Sequence, residues 1–339
     1  MALHAPGVVM RQIQLAAVAL LAAAFAAAAP AQDKAKEDAD QTLSAIVRVK
    51  SKILQDARSA ATLGTQREGS GVLIRDGYVA TIGYLLIEAE SVEVTAMDGK
   101  SVPAAVTGYD HASGFGLLKL LAPLEGKPLP LGDASAAAER EPAMVASYGG
   151  REGVSLAYIV SRRPFSGSWE YLLDSAIFTY PPVMNWSGAA LINVKGELLG
   201  IGSLIVNDSA GSGTQSPGNM FVPVDLLKPI LDDLIANGRR SGQTRPWLGI
   251  NAEELHARLF VTRVSPEGPA DRAGVRAGDI VIGVGGEQVS SLAEFYRKVW
   301  ARGAAGIEVP LNVLQGVQIR ELNVRSIDRI EYFRRKPTY

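Results

Sequence analysis

Short hydrophobic runs recur about every ten residues between Thr42 and Val224, and this spacing constrains the fold more than any other feature of the sequence. Most runs are rich in Val, Ile or Leu and are bounded by Gly, Asp or Pro, which is typical of strands joined by tight turns. A parallel sheet would require longer helical crossovers between its strands, and the sequence has none in this region. The pattern therefore predicts an antiparallel barrel or sandwich. Its predicted strands are SAIVRVK, SGVLI, YVATI, SVEVTA, GLLKL, AMVASY, VSLAYIV, AALINV, ELLGIGSLIV and MFVPV.

A second, smaller domain follows this region. An amphipathic helix predicted over Asp225 to Ala236 ends the first part of the chain, and the polar segment 239–246, which contains Gly and Pro, indicates a linker. The hydrophobic pattern of residues 247–326 predicts strands that flank two helices, and the longer helix is predicted over Ser291 to Arg302. The basic, aromatic segment 327–339 is expected to be a solvated extension of this second domain, with a contact to the first domain as the alternative.

The N-terminus has the features of an export signal. Arg11 precedes fifteen consecutive apolar residues, Leu15–Ala29, and small residues continue to Ala31. This order predicts a signal peptide over 1–31, cleaved near Ala31, which places the mature chain in the periplasm or outside the cell. Residues 32–41 form a polar N-terminal segment of the mature chain. The alternative is a retained N-terminal anchor, which would be the chain's contact with a membrane.

Composition excludes several chemistries. The chain has no Cys, so thiol catalysis, disulfides and Cys-ligated metal sites are ruled out. Its 34 Lys and Arg balance 35 Asp and Glu, which argues against nucleic acid as a partner. No cluster of His, Asp or Glu has metal-ligand spacing and no phosphate-binding loop motif occurs, so we expect neither a metal nor a cofactor.

Several motifs occur in a fixed order, and together they resemble the HtrA (DegP-like) family from about Ser44 to Arg325. They are EGSGVLIRDGYVATIGYLL, DHASGFGLLKL, PLGDAS, NWSGAALINVKGELLGI and SPEGPADRAGVRAGDIVIGVGGEQVSS. The resemblance implies a mainly β fold, in which a trypsin/chymotrypsin-like domain of two six-stranded β-barrels spans residues 42–238. A PDZ domain over residues 247–326 would follow, and the active site would lie between the barrels.

The three positions that match the family's catalytic residues depart from its pattern. Tyr84 stands where the family has its histidine, and Gly114 stands where it has its aspartate. Ser187 is retained at the nucleophile position, but Asn185 and Trp186 replace the residues that precede it in the oxyanion loop. A serine hydroxyl needs a neighbouring base with a pKa near 7, whereas a tyrosine has a reference pKa of about 10. The sequence therefore predicts that Ser187 is not activated.

An alternative base would be needed for catalysis to survive. The candidate is His111, three positions before Gly114, although the resemblance places it at the barrel surface as a solvated turn residue. His256 in the second domain is also expected to be solvated.

The second domain retains its motif. Four consecutive residues resemble the carboxylate-binding loop of PDZ domains, whose backbone N–H groups hold the terminal carboxylate of a peptide that adds as a strand. The loop residues are Trp247, Leu248, Gly249 and Ile250. Three apolar residues of the long helix are expected to wall the groove, with simple core packing as the alternative; they are Leu292, Phe295 and Val299. For the loop, the alternative is a purely structural entry into a strand.

These observations predict an exported HtrA-like pseudoprotease that binds unfolded or C-terminal peptide segments in a chaperone-like or regulatory role. Its partners would be polypeptides, protein C-termini or another protease. One alternative is an active serine endopeptidase with an unrecognised base, and another is a structural scaffold that binds no peptide. The sequence leaves the oligomeric state open, because residues 32–67 lack the aromatic residues through which the family often trimerises.

Overall fold

The computed structural model describes residues 37–333, which form two closed six-stranded barrels and a further β-sheet domain. The expected export signal over 1–31 and the basic residues 334–336 lie outside the described residues. None of the helices within 37–333 is long and apolar enough to cross a membrane. The mainly β fold predicted from the spacing of the hydrophobic runs is confirmed.

The first barrel is a closed antiparallel sheet with strand order β1-β2-β3-β6-β5-β4, preceded by helix α1 over residues 37–44. In β1, the buried Val47 and Val49 alternate with the more exposed Arg48 and Lys50, as expected for a strand with one face on a core. A short helix α2, Ala60–Leu63, links the first two strands. The strands are β1 Ile46–Ile53, β2 Gln66–Arg75, β3 Tyr78–Ile82, β4 Ala89–Thr95, β5 Ser101–Tyr109 and β6 Phe115–Leu120.

The second barrel closes in the order β10-β11-β12-β9-β8-β7 and shares one apolar core with the first. Its strands are β7 Pro142–Ala146, β8 Val154–Gly167, β9 Tyr171–Tyr180, β10 Ala190–Ile192, β11 Leu198–Val206 and β12 Gly218–Pro223. The hydrophobic runs did not predict β5 or β9. Polar or breaking residues interrupt both strands, Pro103 in β5 and Asp174 with Ser175 in β9, and pairing with neighbouring strands decides their structure.

The helix predicted over Asp225 to Ala236 is wrong in its first half. Two 3-10 turns, Val224–Leu226 and Lys228–Ile230, precede a shorter helix α3, Leu231–Asn237, which Gly238 ends in the left-handed conformation. Pro229 explains the break, because proline lacks the N–H that a continuous helix would use at that position.

The third part of the fold is a sheet with strand order β13-β14-β15-β17-β18, with β16 paired to β15. Helix α5, Leu292–Ala301, packs on this sheet, and its N-terminus is capped by Ser291, whose hydroxyl accepts from the Glu294 N–H. Helix α4 is Pro269–Arg272. The strands are β13 Ile250–Leu255, β14 Arg258–Val264, β15 Ile280–Val284, β16 Glu287–Gln288, β17 Glu308–Gln315 and β18 Gln318–Arg325.

The described start of the C-terminal segment is docked, so the expectation of a solvated extension is wrong for residues 327–333. Ile327 pairs with Trp247 through backbone hydrogen bonds, and helix α6, Arg329–Tyr332, follows. The Tyr332 ring packs on Trp247 with centroids 4.7 Å apart, and Phe333 stacks on His111 at 5.7 Å. Aromatic rings bury large apolar areas, and this explains why a segment with a basic end docks at the junction between the domains.

Candidate active site and carboxylate-binding loop

Ser187 lies in a turn held between the two barrels. Its carbonyl accepts from the Ser70 N–H on β2 at 2.8 Å, and the Gly188 N–H donates to Gly202 on β11 at 2.9 Å. Gly69 permits this close approach, since a Cβ at that position would lie 2.7 Å from the Ser187 carbonyl oxygen. Both barrels therefore fix the position of the serine.

Tyr84 is positioned directly against Ser187. It lies in the 3-10 turn Gly83–Leu85 that follows β3, and the buried Arg67 guanidinium donates to the Tyr84 carbonyl at 2.7 Å. The phenol hydroxyl shares its proton between the Ser187 Oγ at 2.9 Å and the Ser203 carbonyl at 3.0 Å. The structure thus brings together the two residues that the sequence placed at the nucleophile and base positions.

The chemistry of this pair differs from that of an activated serine. Burial raises the pKa of Tyr84 to about 12, and hydrogen bonds with Ser187 and Trp186 oppose the shift without cancelling it. The phenol is therefore protonated at neutral pH, and it acts as a donor toward Ser187 rather than as an acceptor of its proton.

Gly114 lies beside the Tyr84 turn, since its carbonyl accepts from the Gly83 N–H at 2.7 Å. Its φ is 85°, and a Cβ at this position would lie 3.1 Å from the Tyr171 hydroxyl. That hydroxyl donates to the neighbouring Ser113 carbonyl. Tyr171 therefore occupies the space next to Gly114 into which a longer side chain would extend.

The oxyanion-loop residues Asn185 and Trp186 precede Ser187 in this turn. Neither has a positive φ, whereas Gly188 has a φ of 73°. Asn185 is exposed and Trp186 is half-buried. The backbone at Asn185 therefore does not adopt the left-handed conformation that a glycine would allow there.

His111 is not the solvated surface residue that the sequence suggested. Its ring lies 4.2 Å from Tyr109 and 5.7 Å from Phe333, and neither ring nitrogen has a hydrogen-bond partner. Burial, with a smaller contribution from Arg329, keeps the pKa of His111 well below its usual value of 6.5. The C-terminal segment docks here, which the sequence analysis had only as the alternative, and this docking is the reason for the difference. His256 is exposed, as expected, in the turn between β13 and β14.

The loop before β13 holds a carboxylate, and that carboxylate belongs to the same chain. The Gly249 and Ile250 N–H groups donate to one carboxylate oxygen of Glu170 at 2.7 and 2.9 Å, and the Leu248 N–H donates to the other at 3.0 Å. Gly249 has a φ of 83°, which a glycine adopts without strain. Trp247 lies apart from this contact and packs on Tyr332 instead.

Glu170 reaches the loop from the turn between β8 and β9. It is buried, with 7% of its surface exposed, and its φ of 57° is unusual for a residue with a side chain. Burial raises the pKa of Glu170, although the three N–H donors and Arg329 favour its ionised form. Sequence analysis missed this residue, because a glutamate between two strands matches no motif.

The same turn lies in the groove between β13 and α5. The Ser168 carbonyl accepts from the Ala252 N–H on β13 at 3.0 Å. From α5, the Tyr296 hydroxyl donates to the Gly167 carbonyl at 2.7 Å and accepts from the Glu170 N–H at 3.2 Å. Tyr296 was also missed, although its helical spacing from Leu292 could have indicated a residue that faces the groove.

The three helix residues expected to wall the groove belong to the buried core of the third sheet, as the core-packing alternative had it. Leu172 of β9 joins this same apolar cluster, so a side chain from the second barrel completes it. The cluster includes Leu292, Phe295 and Val299, at 7%, 1% and 2% exposure.

Comparison with known proteins agrees with this architecture. Residues 69–201 match the family model for a trypsin-like peptidase domain, and residues 246–325 match the model for a PDZ domain. An HtrA-type protease, AlgW, solved with a decapeptide, has the same fold at a TM-score of 0.52 and 19% identity, covering 88% of this chain and 98% of AlgW.

Curated relatives are named as serine proteases. A probable periplasmic serine protease do/HhoA-like from Haemophilus influenzae is 28% identical over 275 residues, which cover 76% of this chain and 57% of the relative. The serine endoprotease DegS from Escherichia coli is 28% identical over 268 residues, which cover 73% of each chain. The chain spans little more than half the length of several of the curated relatives it matches. The chain thus combines a trypsin-like peptidase domain with a PDZ domain, and it is similar in sequence and in fold to HtrA-type proteases.

Proposed function

We propose that this protein binds polypeptide segments through its PDZ domain and does not cleave them. The observation that carries the proposal is the contact between Tyr84 and Ser187, in which a phenol donates to the serine oxygen at 2.9 Å. In a characterised serine protease, loss of the nucleophile or of the base alone lowers turnover by about a millionfold. Tyr84 stands at the base position and cannot take the serine proton at neutral pH.

The surroundings of Ser187 support the same proposal. Gly114 offers no carboxylate to orient a base, and Tyr171 fills the space beside it. The two histidines within residues 37–333 lie elsewhere, His111 between Tyr109 and Phe333 and His256 in an exposed turn. The trypsin-like domain would then serve as a rigid support for peptide capture.

Peptide binding remains available because it depends on the main chain. The AlgW structures are described with a decapeptide and with a tripeptide, and a PDZ loop recognises a carboxylate through backbone N–H groups. In this chain the N–H groups of Leu248, Gly249 and Ile250 converge on one carboxylate. Export to the periplasm accords with the expected signal over 1–31 and with relatives named as periplasmic proteases. A chaperone-like role or regulation of another protease would follow from such binding.

The test is a protease assay on the mature chain with denatured casein, run beside Ser187→Ala. We expect equal, background cleavage by both proteins. Cleavage that Ser187→Ala abolishes would instead establish the rival function, an active serine endopeptidase. The relatives named as serine proteases favour this rival.

A further inference from the structure

We propose that the segment 167–172 is an internal ligand of the PDZ groove, and that a protein C-terminus must displace Glu170 before it can bind. The inference rests on the proposed peptide-binding function. It adds that the groove of the resting molecule is closed by the chain itself.

The first argument concerns the carboxylate. The three converging N–H groups already donate to Glu170, at 2.7 to 3.0 Å. A second carboxylate brought to the same donors would lie beside the first, and two like charges in a buried site repel strongly. The loop therefore holds either Glu170 or the C-terminus of a partner.

The second argument concerns the strand edge. β13 pairs with β14 on one side and ends the sheet on the other, where a bound peptide would add as a new strand. The Ala252 N–H on that edge donates to the Ser168 carbonyl, and α5 binds Gly167 and Glu170 through Tyr296. Ser168, Trp169 and Glu170 thus stand in for the last three residues of a peptide ligand.

The third argument concerns why the internal ligand can leave. Glu170 has a φ of 57°, a strained conformation that persists where surrounding contacts impose it. Its carboxylate is also removed from water. A free C-terminus would supply the same hydrogen bonds without this strain, and its binding would allow Glu170 to return to solvent.

The turn that carries Glu170 also leads to a contact with the first barrel. Successive side chains at the start of β9 contact different domains, because side chains of a strand point alternately to its two faces. Glu170 and Leu172 contact the PDZ domain, whereas Tyr171 between them donates to Ser113 beside Gly114. One short stretch of chain therefore links the PDZ loop to the turn beside Gly114.

The test uses the full mature chain and two variants, Glu170→Gln, which removes the charge, and Glu170→Gly, which also relieves the positive φ. Asp174→Asn is the matched control, because Asp174 is a nearby residue of β9 and reaches α5 through an exposed ion pair with Arg297. Amide hydrogen exchange at 248–252 reports whether the groove is occupied. We expect exchange to be about tenfold faster or more in both Glu170 variants, because a charge-assisted hydrogen bond contributes at least that factor. Exchange in β17 and β18 should be unchanged, which shows that the domain is still folded.

The second measurement is binding of a fluorescent octapeptide that ends in Ser-Trp-Val, with its amidated twin as reference. The Glu170 variants should bind the free-acid peptide about tenfold more tightly than wild type, because the competent fraction of the groove rises. Exchange at 248–252 that matches wild type in both Glu170 variants would overturn the internal ligand. Faster exchange without any binding of the peptide would confirm the internal ligand, but it would overturn its displacement by a partner and the proposed peptide-binding function.

Discussion

The Ser187 site and the carboxylate loop depend on different parts of the chain. The first needs particular side chains at three positions, and two of them, Tyr84 and Gly114, cannot perform the roles of base and orienting carboxylate. The second needs backbone N–H groups, and the loop at Gly249 presents them whatever side chains its neighbours carry. Under the proposed function, the trypsin-like domain would have lost catalysis by substitution, while the adjoining PDZ domain keeps three N–H groups directed at a carboxylate.

Both sites are also filled by the chain itself. Tyr84 donates to Ser187 in one, and Glu170 accepts from the loop in the other. The difference lies in the route to an open site. A competing carboxylate would replace Glu170 in the PDZ loop, whereas the contact between Tyr84 and Ser187 joins two half-buried side chains for which no competing ligand is proposed.

The largest effect would come from repair of the side-chain site. We expect the double variant Tyr84→His and Gly114→Asp to remain unreactive toward a fluorophosphonate probe, although a competent triad would accelerate reaction by about a millionfold. A Cβ at 114 would lie 3.1 Å from the Tyr171 hydroxyl, so this hydroxyl would have to shift by a few tenths of an ångström, and the φ of 85° would strain any side chain there. Asn185 and Trp186 also alter the oxyanion loop, in which each donor is worth about 10²–10³ in rate.

Mass spectrometry of the peptide that contains Ser187 is the measurement for this repair, with the same substitutions in a Ser187→Ala background as control. Adding Tyr171→Phe sharpens the comparison, because it removes the hydroxyl next to position 114. Labelling of the double variant would show that the triad alone has been lost and that the rest of the site is intact.

The sequence predicted those features that local patterns carry. The hydrophobic runs indicated ten of the twelve barrel strands, and the ordered motifs identified Ser187, Tyr84 and the loop at Gly249. Glu170 could not be found in this way. It precedes β9, a strand that the runs missed, and its partner loop lies 78 to 80 residues further along the chain. The docking of Phe333 on His111 was only an alternative, without named partners, because it depends on how the domains pack.

The next, smaller effect is a loss of stability on substitution of Gly249 in the carboxylate-binding loop. Gly249→Val should lower the free energy of unfolding by about 1–3 kcal/mol, because a β-branched residue is strained at positive φ. Its Cβ would also lie 3.2 Å from both Ser265 and Trp247. Gly286→Val is the control, since Gly286 has the same φ of 83° with open space around its Cβ. In urea denaturation the Gly249 variant should be the less stable of the two, and equal losses would mean that the loop imposes no constraint beyond its φ.

The smallest effect concerns the junction between the two sites, where His111 lies between Tyr109 and Phe333. Burial and Arg329 hold the pKa of His111 well below 6.5 in the folded chain, while the unfolded chain has an ordinary histidine. Below pH 6.5 the unfolded state therefore binds a proton that the folded state does not, so stability present above that pH is lost as the pH falls. The loss is at most about 1.4 kcal/mol per pH unit, and it is measured between about pH 7.5 and about pH 5. His111→Phe keeps an aromatic ring in the same place and cannot titrate, so urea denaturation at the two pH values should show a smaller acid loss for this variant. An equal loss in both proteins would place the acid sensitivity in other groups and would remove the junction as its source.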